Sequence, residues 1–80
     1  MVNKVWLIRK INDYPEAEVL ENEDVIILIQ DAVLKIPYFG NVLVCKEDAE
    51  ARNIKVEEDK VVSYEDIIDI IEKAETVIVW

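Results

Sequence analysis

The sequence predicts an α/β fold with a mostly parallel sheet, and three observations carry that prediction. Short apolar runs rich in valine and isoleucine recur along the chain, the signature of strands buried on both faces. Polar segments with helix-start signals separate them, so strands and helices alternate. Valine and isoleucine together fill 24 of the 80 positions, and branched side chains suit pleated strands.

Val5 to Ile8 forms the first run, flanked by Lys4 and Arg9. Asn12 and Asp13 then offer helix caps, with Pro15 near a first helical position and Glu16 and Glu18 in the first turn, so a short helix is expected over Tyr14 to Glu21. Asn22, Glu23 and Asp24 make a polar break. Val25 to Ile29 reads as the central strand. Asp31 is placed to cap a short helix through Ile36, which Pro37 would stop. Tyr38 to Asn41 reads as a turn around Gly40, and Val42 to Cys45 as a third strand.

Lys46, Glu47 and Asp48 open a further short helix carrying Ala49, Ala51 and Arg52, with Asn53 as a left-handed stop. Lys55 to Lys60 is a charged connector, and Val61 and Val62 suggest a brief fourth strand. Ser63 and Asp66 resemble a capping box with Asp in place of the usual Glu or Gln. Behind that cap, Tyr64, Ile67, Ile68, Ile70, Ile71 and Ala74 fall on one wide helical arc, opposite Glu65, Asp66, Asp69, Glu72 and Lys73. Thr76 to Trp80 returns to strand character. Right-handed crossovers are expected to join the first four strands.

Residues 1–80 read as one small domain, with no repeat, linker or low-complexity segment. A net charge of −9 and nine scattered Lys and Arg residues argue against direct nucleic-acid binding and against an anionic membrane surface. The sequence has neither an apolar run long enough to span a bilayer nor the order of a signal peptide, so a cytoplasmic location is expected. The hydrophobic fraction, 52%, is high for a chain this small and suggests apolar surface buried against other subunits.

Histidine is absent, which removes the commonest general base and metal ligand. The single glycine precludes a glycine-rich phosphate loop. Cys45 is the one candidate nucleophile. It ends a strand and precedes a helix start, where a thiol pKa can be lowered, so it could serve as a persulfide carrier or sulfur acceptor. The alternative is a small apolar residue filling the sheet. Glu47, Asp48 and Glu50, or Glu57, Glu58 and Asp59, could attract a hard cation, but their spacing is not that of a calcium loop and a solvated surface is the simpler reading. No cofactor or metal is therefore expected. Trp6 reads as core. Tyr38, Phe39 and Trp80, together with Ile70 on the apolar helix arc, are the candidate partner-interface residues.

The order of segments resembles the DsrH/TusB family of sulfur-relay proteins. Val25-Ile-Ile-Leu-Ile-Gln-Asp-Ala-Val33 is similar to that family's apolar strand followed by Gln-Asp-Gly-Val. Val42-Leu-Val-Cys-Lys-Glu-Asp-Ala-Glu-Ala-Arg-Asn-Ile54 resembles its next strand and helix, and Ser63-Tyr-Glu-Asp with the terminal Trp80 resembles its C-terminal end. The resemblance runs from Asp24 onward and includes the first strand. It implies a DsrE/DsrF/DsrH-like three-layer α/β/α fold with a five-stranded sheet. It also implies a non-catalytic subunit of a cytoplasmic sulfur-relay complex that supports 2-thiolation of the tRNA wobble uridine.

The implied partners are TusC/TusD-like or DsrE/DsrF-like subunits, with self-association as the alternative. The persulfide-carrying cysteine of such complexes belongs to the TusD-type partner. DsrH-type members carry their own cysteine after the first strand. Here Asn12 to Leu20 contains none, and Cys45 stands where the family usually has an aliphatic residue. Two other readings stay open: a sulfurtransferase or persulfide carrier using Cys45, and a homo-oligomeric module that binds a small ligand.

Overall fold

The computed structural model describes residues 4–10, 24–36 and 41–79. The expected helix over Tyr14 to Glu21, the turn residues Tyr38 and Phe39, and Trp80 lie outside the described residues.

Among the described residues five strands form one sheet: β1 (Lys4–Ile8), β2 (Val25–Leu28), β3 (Asn41–Cys45), β4 (Val61–Val62) and β5 (Thr76–Val79). Every pairing is parallel, and the spatial order is β4-β3-β2-β1-β5. Val5 lies beside Val25 on one flank and Val77 on the other, and Ile26 lies beside Val42. The three apolar runs read as the most buried strands therefore occupy the middle of the sheet. That placement suits residues apolar on both faces.

The pleat sorts these side chains into two apolar clusters. Trp6, Ile8, Ile26, Leu28, Val42 and Val44 form one, together with Ala32, Val33 and Ala49. Val5, Ile27, Cys45 and Ile67 form the other, joined by half-buried Leu7, Leu43, Val62, Ile70 and Ile71. The first cluster includes the short helix α1 (Lys46–Ala51) and the second includes α2 (Tyr64–Lys73). Trp6 is core, as expected, and its indole N–H donates to an Asp24 carboxyl oxygen at 3.2 Å, which satisfies the polar end of a buried ring.

Local signals set most boundaries. Ser63 Oγ accepts from the Asp66 N–H at 3.2 Å and Asp66 Oδ2 accepts from the Ser63 N–H at 3.4 Å, so the capping box is complete. Asn53, at φ 57°, closes the turn after α1 in the left-handed region that asparagine tolerates.

One local expectation fails. Gln30–Leu34 forms a 3-10 turn capped at Ile29 without a side-chain bond, so Asp31 lies inside the turn and caps nothing. Its carboxylate is instead drawn to the distant Arg52, which donates from both Nε and Nη2 to Oδ1 at 3.1 Å. The charged connector also contains a 3-10 turn, Glu58–Lys60.

Candidate functional site

In open parallel sheets, ligand sites lie beyond the carboxyl ends of the strands. Here those ends gather one polar cluster around Asp48. Cys45 is the last residue of β3, and α1 begins immediately after it, which puts Asp48 in the first helical turn. Gln30 follows β2, and Tyr64 opens α2 just after β4. The cluster thus draws on three neighbouring strand ends.

Asp48 is its hub. Oδ2 accepts the backbone N–H of Gln30 at 2.8 Å, and Oδ1 accepts the Tyr64 hydroxyl at 3.0 Å. Arg52, one helical turn on, lies 3.8 Å from Oδ1 and donates to the Asp48 carbonyl oxygen at 3.2 Å. Gln30 adopts φ 50°, a left-handed backbone unusual for this residue type, and in that conformation its N–H meets the carboxylate.

The electrostatics follow from these contacts. Partial burial pushes the Asp48 carboxyl up, but the Gln30 and Tyr64 hydrogen bonds, the Cys45 thiol and the Arg52 charge together hold it below its ordinary value. The bond to Asp48 is the main cause that pushes the Tyr64 hydroxyl up to about 12. Cys45 is fully buried, and that burial raises its thiol above the ordinary 9.0 despite a backbone hydrogen bond from Asp48 that opposes the shift. The sequence had offered a lowered thiol pKa at the helix start. Desolvation instead dominates at this position, so the thiol stays protonated at neutral pH. Its Sγ lies 3.8 Å from Glu47 Oε1.

At neutral pH the cluster therefore holds a carboxylate, a phenol and a thiol. Its hydrogen bonds tie α1, α2 and the Gln30 turn together. The described residues contain no group of three or more His, Cys, Asp or Glu side chains arranged to hold a metal ion.

Ile70 is half-buried and packs on the Val5–Ile27–Cys45–Ile67 cluster, whereas its neighbours on α2, Ile68 and Tyr64, are exposed. Beside α1, an open groove of about 600 Å³ is lined by Ala49, Ile54, Val56 and Val61, with Lys46 and Lys55 balanced by Glu50 and Glu58. Sequence reasoning missed the Asp48–Tyr64–Gln30–Arg52 cluster. The rule that sites lie at strand ends was the one signal pointing to this end of the sheet.

Comparison with family models, curated proteins and solved structures finds no match to this chain. No helix among the described residues is long and apolar enough to cross a membrane.

Proposed function

We propose that the chain is a non-catalytic subunit of a cytoplasmic sulfur-relay complex of the DsrH/TusB type, supporting 2-thiolation of the tRNA wobble uridine through TusC/TusD-like partners. The observation that carries this reading is the state of the only cysteine. Cys45 is buried and its thiol pKa is raised, which favours a sulfur-relay nucleophile on another chain. The order of the family-like segments supports it, as does an all-parallel five-stranded sheet. The two apolar clusters, one joined by α1 and one by α2, support the three-layer α/β/α arrangement that belongs to this reading. The charge of −9 supports leaving any tRNA contact to a partner.

Co-expression with TusC- and TusD-like proteins, followed by native mass spectrometry, tests the proposal. A stoichiometric hetero-complex is expected, and a stable monomer that ignores both partners would overturn it. Iodoacetamide separates the proposal from the persulfide-carrier alternative. Cys45 is expected to resist alkylation in the native protein and to react once denaturant is added. Rapid native labelling would show a reactive thiol and favour the carrier reading instead. The groove beside α1 favours the remaining reading, a homo-oligomeric module for a small ligand, and light scattering at several concentrations tests for that oligomer.

A further inference from the structure

The helix α2 is held on the molecule by little buried surface. Among the described residues it connects the two edge strands of the sheet, β4 and β5. Of its ten residues only Ile67 is buried; Ile70 and Ile71 are half-buried, and Tyr64 and Ile68 are exposed. β4 is two residues long, and both of its valines are half-buried. In the central strands, by contrast, Val5, Ile8, Ile26, Ile27, Leu28 and Val44 are completely buried. Local opening is easiest where little apolar surface is buried, so β4 and α2 can detach far more readily than β1, β2 or β3.

One polar tie crosses from α2 to another element. Among the described residues, the Tyr64 hydroxyl makes the only side-chain hydrogen bond that does so, donating to Asp48 Oδ1 at 3.0 Å. The capping bonds between Ser63 and Asp66 stay within the helix start and would move with it.

Cys45 lies beneath these elements. Val62 is its register partner on β4, and Ile67 of α2 belongs to the same apolar cluster. Asp48 and Tyr64 both perturb the ionisation of the thiol, which places their mutual hydrogen bond beside it. The side chain is fully buried, yet part of what buries it is a weakly held segment.

We infer that β4 and α2 form a flap that opens as a unit while the central strands stay folded. The Tyr64–Asp48 bond is its latch, and its opening governs access to Cys45. With the flap shut the thiol is covered and unreactive. With the flap open it meets water and electrophiles. The inference goes beyond the subunit reading and does not depend on it: co-expression with TusC/TusD-like proteins decides that reading, and thiol kinetics decide this one.

The test is the rate at which iodoacetamide labels Cys45 in the whole chain, followed by mass spectrometry across a urea series. The rate is expected to be far below that of an unprotected thiol and nearly independent of urea at low concentration, because the flap exposes little surface. Nearer the denaturation midpoint, global unfolding takes over and the rate should climb steeply. Tyr64→Phe removes the latch from both kinds of opening, so it should raise the plateau and the steep limb alike, roughly fivefold. Ile26→Val weakens the opposite cluster, which the open flap leaves intact. It should lift the steep limb and leave the plateau unchanged.

A parent rate that depends steeply on urea from the lowest concentration would overturn the inference, since Cys45 would then be reached only through global unfolding. A rate equal to that of an unprotected thiol would do the same. So would a plateau that Tyr64→Phe leaves unmoved, or one that Ile26→Val lifts as much as the steep limb.

Discussion

Asp48 shows how one side chain can set the behaviour of several others. It accepts from Gln30 and Tyr64 and lies near Arg52, so removing it leaves three elements without a shared partner. Asp48→Ala is expected to destabilise the fold by about 1–3 kcal/mol, nearer the lower figure because much of the network is open to solvent. Urea denaturation measures this. The pH dependence has a defined sign. The Asp48 carboxyl is held below its ordinary 3.8, so its contribution is present above that pH and is lost as pH falls through the depressed value. The Cys45 thiol is raised above 9.0, so its contribution is complete below 9.0 and fades as pH climbs toward the higher folded value. Tyr64, raised from 10.0 to about 12, behaves in the same way between those two limits. A denaturation midpoint followed against pH should therefore drop at both ends, and Asp48→Ala should flatten the acid limb and also weaken the alkaline one, because the bond to Asp48 is the main cause of the Tyr64 shift.

At the level of elements, the clearest sequence signals were those whose causes lie within a few residues. The strands were legible because residues buried on both faces leave unbroken runs such as Val25 to Leu28. The start of α2 was legible because Ser63 and Asp66 satisfy each other three residues apart. Ser63→Ala should cost about 1 kcal/mol by removing that cap, read from the shift in urea midpoint. What could not be read depends on partners far along the chain. Asp31 has the type and position of a helix cap, yet Arg52, 21 residues away, holds its carboxylate. The bonds of Gln30 and Tyr64 to Asp48 span 18 and 16 residues and follow no helical or strand period. The wide apolar arc of α2 was visible, but not which part of it meets the sheet. Ile67 is buried and Ile68 is 55% exposed, because one face of the sheet cannot cover every isoleucine of the arc. Ile67→Ala should accordingly cost about 2–5 kcal/mol, whereas Ile68→Gln should change stability by no more than about 0.5 kcal/mol. Parallel thermal melts of the two variants would show the contrast.

For the whole molecule, charge and topology set the conditions of folding. An excess of nine negative charges on 80 residues repels itself in the compact state. Raising sodium chloride from low to moderate concentration should screen that repulsion and increase the melting temperature, a trend calorimetry can follow. Topology acts on the time course. Among the described residues β5 has one neighbour in the sheet, β1, and the register joins Lys4 to Thr76 and Leu7 to Val79 across nearly the whole sequence. That ladder has to wait for a very long loop to close, while the contacts between β2 and β3 need only a short one. The order of assembly this favours starts from β2 and β3 and adds β5 late, leaving one side of the strongly apolar β1 without a neighbour in the meantime. A nascent or refolding chain would pass through an interval in which β1 can pair with the wrong strand, so aggregation during refolding should rise steeply with protein concentration even where the finished fold is stable.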